Sequence, residues 1–155
     1  LISQALPTFA VAPLFVLWFG YGMASKIIVT MLMIFFPITS SFYDGLKRTP
    51  KAYLDMATMM NASRWQILWR IKIPAALPNL ASGLRVAATF APMGAVIGEW
   101  VGSSQGLGYL LLNDNARMQI ADMFAVLMVI IVLTLLLYCS VDVLLKKLIF
   151  WERKK

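Results

Sequence analysis

The sequence predicts an all-α fold, a polytopic transmembrane helix bundle formed as one domain over residues 1–155. Three observations predict it. The chain is 61% hydrophobic, with a mean hydropathy of +0.78, whereas a soluble domain is about 45–50% apolar. The apolar residues come in long runs, and a helix crossing a bilayer needs about 20 of them. The charge is clustered. Of 14 Lys and Arg, six (Lys47, Arg48, Lys51, Arg64, Arg70, Lys72) lie in a central insert, and five (Lys146, Lys147, Arg153, Lys154, Lys155) at the C-terminus. Clusters that flank apolar spans follow the positive-inside rule. The net charge of +7 is therefore a membrane-topology signal. It is not the basic face of a nucleic-acid binder, and no nucleic-acid partner is expected.

Residues 5–19 read as a partial span, broken by Pro7 and Pro13. A broken helix at membrane depth is tolerated where it is buried in protein or lines a cavity, so this stretch is either a kinked scaffold helix or part of a pathway. Gly20, Tyr21, Gly22 and Lys26 read as a short turn. A span follows over 27–43, with Pro37 as a kink.

The insert runs from Thr49 to Pro78 and mixes polar and apolar residues regularly. Thr49 is read as an N-cap with Pro50 at the first helical position. Tyr53, Met56, Ala57 and Met60 fall on one helical face. Asn61 stands where that helix stops, as the non-glycine residue that best tolerates a left-handed conformation. Ser63 opens a second helix, with Gln66 completing a Ser-x-x-Gln capping box. Trp65, Leu68 and Trp69 share its face, and Pro74 is expected to end it.

A third span is predicted over 77–97, rich in small residues. Gly94 and Gly98 form a G-x-x-x-G pair, extended by Ala91 and Ala95, and such surfaces let helix backbones approach closely in lipid. This face is a candidate helix–helix interface, and a dimer axis is one place for it. Pro92 should bend the span. Arg85, about two turns inside, is read either as a pathway charge or as snorkelling to the interface or tied to a backbone carbonyl; the nearby cytoplasmic end favours the second. Residues 99–122 are polar and Gly-rich, with Arg117 as the one basic residue, so this loop is placed outside. Tyr109–Leu112 read as a short interfacial helix and Trp100 as an aromatic-belt residue. Glu99 is either solvated or faces the pathway. The last span is predicted over 123–145, with Asp142 near its inner end. Lys146, Lys147 and the terminal Trp151–Lys155 anchor it in the cytoplasmic headgroup layer of the membrane lipid.

The chemistry of catalysis is missing from the sequence. There is no His, and the single Cys139 offers neither a disulfide framework nor a metal cluster. No G-x-x-x-x-G-K-[ST] phosphate loop occurs, so this chain has no such route to ATP. No catalytic residue, metal site or cofactor of its own is expected.

The insert resembles the EAA loop of the permease subunits of binding-protein-dependent ABC importers. That pattern is Glu-Ala-Ala, three residues, Gly, nine residues, then Ile-x-Leu-Pro. Here Asp55-Met56-Ala57 is followed by three residues, Asn61, nine residues (Ala62 to Arg70) and Ile71-Lys72-Ile73-Pro74. The departures are Asp for Glu, Met for Ala, Asn for Gly and Ile for Leu, and each keeps the role. The resemblance extends to a P-x5-P-L-x-x-L-W-F-G stretch near the start and to the G-L-G-Y-L-L stretch after Glu99. It implies a MetI-like permease core with a cytoplasmic coupling insert over 49–74. In that family the insert seats in a cleft on the ATPase, which points to Asp55, Met56, Ala57, Asn61, Ala62, Ser63, Arg64, Ile71 and Pro74 as ATPase-coupling residues. Gly94, Gly98, Glu99 and Arg85 are the candidates for pathway or helix packing.

The partners the resemblance implies are two ATPase subunits carrying ATP and Mg, a second permease copy in a homodimer, and a periplasmic or lipid-anchored binding protein. The location implied is the inner membrane, with insert and C-terminus cytoplasmic. The chain starts at Leu1, and the family's permeases are longer. It is therefore expected to be a C-terminal part lacking one or two spans. The closest branch moves aliphatic sulfonates, taurine, nitrate or the hydroxymethylpyrimidine precursor of thiamine, and the G-A-V-I-G-E-W-V-G-S-S-Q-G-L-G-Y-L-L-L stretch favours the pyrimidine precursor. The readings of another class are a secondary transporter or channel, which calls for intramembrane ion-coupling sites, and a structural membrane protein, which gives no reason for the EAA spacing.

Overall fold

The computed structural model describes residues 7–149. Over these residues the chain is helical, with no strand. The elements are α1 (Thr8–Phe19), α2 (Met23–Lys47), α3 (Lys51–Met59), α4 (Arg64–Ile67), a π-helical turn (Leu68–Lys72), α5 (Ile73–Gly102), α6 (Leu107–Ala116) and α7 (Ile120–Leu148). Three stretches are long and apolar enough to cross a membrane: Met23–Lys47, Arg64–Gly102 and Ile120–Leu148. Residues 5 and 6 of the predicted partial span, and the terminal anchor Trp151–Lys155, lie outside the described residues.

Several sequence expectations are corrected. Lys26 is not in a turn: α2 begins at Met23, so Lys26 lies in its first turn. Thr49 does not cap α3. Its hydroxyl donates to the Leu46 carbonyl at 3.1 Å, closing the end of α2, and Pro50 is the N-cap of α3. Pro74 does not end a helix. The chain stays helical from Arg64 to Gly102 because the π turn intervenes: the Ile73 N–H bonds to the Leu68 carbonyl, five residues back. A proline in an α-helix clashes with the carbonyl four residues earlier. The wider turn just before Pro74 moves that carbonyl away, and the ring is accommodated at the start of α5.

The main packing is α2 against α5, running antiparallel. Glycines set the closeness. A Cβ at Gly45 would lie 2.8 Å from Asn79 Cβ, at Gly83 2.7 Å from the Pro37 carbonyl oxygen, at Gly94 2.9 Å from Thr30 Cα, and at Gly98 3.0 Å from Lys26 Cα. Moving along α5 from 76 to 98, the facing residues of α2 descend from 45 to 26. The Gly94 and Gly98 part of the small-residue face of α5 is thus used within the chain, against α2. The reason is steric: glycine on one helix lets the partner's backbone touch without displaced side chains.

α7 packs against α5 and α6 but leaves most of its apolar side chains uncovered. At α1, Phe9 meets Trp100 of α5 edge to face, with ring centroids 6.2 Å apart. Trp100 is therefore an intramolecular contact.

Candidate functional site

The insert folds from local rules. The α3 helix ends in a Schellman turn: the Asn61 N–H bonds to the Thr58 carbonyl and the Ala62 N–H to the Ala57 carbonyl, both at 3.0 Å. Asn61 sits at φ 53°, the left-handed conformation expected of it. Ser63 Oγ then accepts from the Gln66 N–H at 3.3 Å, and Gln66 Oε1 accepts from the Ser63 N–H at 2.8 Å. This is the predicted capping box in full. Two short helices are therefore fixed at a sharp angle by bonds that reach no further than five residues.

What the insert displays is apolar. Met59 is 86% exposed, Met60 75%, Trp65 71% and Trp69 64%. Tyr53, Met56, Ala57 and Met60 line one side of a cavity of about 320 Å³, with Arg70, Ile71 and Ala75 on the other. Ala57 is buried, while Met56, Asp55 and Arg64 are exposed and Ala62 is half-buried. Among the described residues Asp55 has no ion-pair partner. The exposed carboxylate, next to exposed Met56 on a short helix, is free to meet a basic group from outside the chain.

Three charges of the bundle, Arg85, Asp142 and Lys146, form one ion-paired cluster. Arg85 Nε lies 2.7 Å from Asp142 Oδ1, joining α5 to α7, and Lys146 Nζ lies 2.6 Å from the other oxygen of the same carboxylate. Arg85 is tied not to a backbone carbonyl but to an acid partner 57 residues on. At the other end of α5, Glu99 Oε2 accepts from the Gly108 N–H at 2.6 Å. Nearby, Lys26 Nζ donates to Ser103 Oγ at 2.8 Å. Gly94 and Gly98 are the α2-facing contacts described above. None of these pairings was legible in the sequence, because nothing local marks a partner on another helix.

The helices define an integral membrane protein of the polytopic α type, with a two-helix amphipathic insert on the stalk of one span. The chain belongs to the family described as the inner membrane component of binding-protein-dependent transport systems, whose profile matches residues 1–150. It is 57% identical over 149 residues to a probable ABC transporter permease of Haemophilus influenzae, with 96% of this chain and 61% of that protein covered. It is 39% identical over 153 residues to the formylaminopyrimidine transport permease ThiX of Halalkalibacterium halodurans, covering 99% and 61%. It is 38% identical over 150 residues to the riboflavin transport system permease RibX of Chloroflexus aurantiacus, covering 97% and 56%. The chain therefore spans about three-fifths of the length of these relatives.

Proposed function

We propose that this chain is the membrane-spanning, non-catalytic permease subunit of an ATP-driven ABC importer. The observation that carries the reading is the insert. Its bend is preformed by Asn61 and the Ser63–Gln66 box, and it projects Asp55, Met59, Met60, Trp65 and Trp69 away from the bundle. A solvated connector has no use for so much exposed apolar surface, whereas a docking element does. In this reading two ATPase subunits, carrying ATP and Mg, seat the inserts of two permease copies. ATP-driven closure of the ATPase pair biases a two-state helix bundle between inward and outward access. The insert and C-terminus face the cytoplasm, residues 103–119 face outward, and a periplasmic or lipid-anchored binding protein delivers the solute there.

The proposed solute is a small nitrogen heterocycle of the thiamine-pyrimidine class. The relative named for formylaminopyrimidine transport supports this, as does the stretch around Glu99. Uptake of labelled aminopyrimidine, riboflavin and taurine by cells expressing the complete system tests it. Saturable uptake of taurine alone would replace the heterocycle with a sulfonate.

The coupling role is tested at Asp55. Removing one partner of a buried charge pair costs about 3–5 kcal/mol. Asp55→Ala is therefore expected to reduce ATPase co-purification and solute uptake at least about tenfold, with the spans still folded. Wild-type uptake together with wild-type ATPase retention would reduce the insert to a connector.

A further inference from the structure

The α5 helix is the upper part of a longer object. With α4 and the π turn it forms a continuous helical stretch, here called the rod, of 39 residues, Arg64–Gly102, with Pro78 and Pro92 inside it, roughly 58 Å long at 1.5 Å per residue. About 20 residues suffice to cross the hydrocarbon core, so the rod carries the insert at one end and reaches the opposite side of the membrane with the other. Glu99 lies in its last turn.

The contact Glu99 makes there is specific. The N-cap of α6 is Gly106, which has no side chain to cap with. The first N–H groups of a helix are orphans at the positive end of its dipole. Glu99 of the rod supplies the missing acceptor, taking the Gly108 N–H at 2.6 Å. Bonds of this kind to an ionised acceptor are roughly twice as strong as neutral ones. The fit leaves no room for side chains on the other partner. A Cβ at Gly108 would lie 2.8 Å from the Val96 carbonyl oxygen and 3.0 Å from Glu99 Cβ. Gly106, at φ 119°, would drive a Cβ into the Glu99 carboxylate. A second tie comes from α2, where Lys26 Nζ donates to Ser103 Oγ and Ser103 Oγ also accepts from the Gln105 N–H at 3.2 Å. Lys26 and Glu99 flank one groove of about 220 Å³ between α2 and α5, so the two ties stand on either side of it.

Resting on the importer reading, we infer that Glu99 is a positioning residue for transport: its carboxylate fastens the outer cap, residues 103–116, to the end of the rod, so that the cap moves with the insert. The charge of Glu99 is spent on the Gly108 amide and is not a pathway charge. Displacement of the insert by the ATPase reaches the outer face along one continuous helix, and the Glu99–Gly108 bond converts it into movement of the cap.

The test uses the complete importer (permease, ATPase and binding protein) in proteoliposomes. Hydrogen exchange over residues 103–116 reads the fastening, and the ratio of solute imported to ATP hydrolysed reads its use. Glu99→Ala should raise exchange at the start of α6 roughly ten- to a hundredfold, the loss expected of a hydrogen bond to a charged group. The solute-to-ATP ratio should fall in parallel, by about tenfold, while hydrolysis continues. Glu99→Gln keeps an acceptor oxygen of the same shape and should fall between wild type and Ala on both measures. Gly108→Ala, which presses α6 off the rod with Glu99 intact, should reproduce the Ala result. Unchanged exchange in Glu99→Ala, or a Gln variant with wild-type exchange and Ala-like transport, overturns the inference and makes Glu99 a pathway charge. If the Ala variant fails to assemble, the Gln and Gly108 variants decide. A wild-type system with no uptake rejects the importer reading instead, and the exchange measurement still decides whether the clamp exists.

Discussion

The rod ends in two helix-turn units, and they are built differently. At the insert end, α3 closes in a Schellman turn at Asn61 and α4 opens in a capping box at Ser63. At the far end, α6 closes in a turn of the same kind. The Met118 N–H bonds to the Asn115 carbonyl at 3.1 Å and the Gln119 N–H to the Asp114 carbonyl at 2.9 Å, with Met118 at φ 58°. The opening of α6, however, has no local cap and borrows Glu99 from nine residues upstream. The insert is therefore specified by its own sequence and keeps its bend while almost fully exposed. The opening of the far end draws on a residue of another helix. In the proposed importer, the docking element is shaped before its partner arrives, and the cap that follows the rod need not be.

The largest expected effect comes from removing the support that both ends share. Gly94→Leu places a bulky side chain where even a Cβ meets Thr30 Cα at 2.9 Å. Overpacking of this kind costs about 1–3 kcal/mol, more where backbone is the obstacle. The variant should lose its sharp size-exclusion peak in detergent, and a wild-type thermal midpoint would show that neither end depends on the α2–α5 contact.

One substitution placed in both turns separates the two ends. Asn61→Val and Met118→Val each force a β-branched residue into a left-handed conformation that such side chains resist most. Asn61→Val should abolish ATPase co-purification; Met118→Val should lower the thermal midpoint and leave the ATPase bound. Equal loss of ATPase from both would dissolve the distinction between a preformed and an assembled end. Glycine in the same two places has the smallest effect and the opposite sign. Met118→Gly should stabilise by up to about 1 kcal/mol, and Asn61→Gly by only a few tenths, because Asn already tolerates this backbone. Thermal midpoints of the two variants check the order.

The sequence carried what is local. The spans were legible as apolar runs, and the bend at Asn61 and the Ser63–Gln66 box as residue types at fixed spacing. What failed depended on geometry beyond the neighbouring turn. Thr49 and Pro74 were assigned to the wrong helix ends, because a threonine caps either way and a proline ends a helix only if the preceding turn stays α. Met118 carries no signal for a left-handed turn. The partners of Arg85, Lys26 and Glu99 lie 57, 77 and 9 residues away, and a glycine face such as Gly94–Gly98 shows that something comes close without showing what.

The π turn at Leu68–Lys72 has a consequence for direction. Each residue of an α-helix advances the chain by about 100° around its axis. A π turn carries one residue more than the α-helical turn it replaces. The azimuth of everything below it, Trp65 and the whole of α3 included, is therefore offset by nearly a third of a revolution from where an uninterrupted helix would leave it. The compass bearing of the insert is written in the residue count between Ser63 and Pro74.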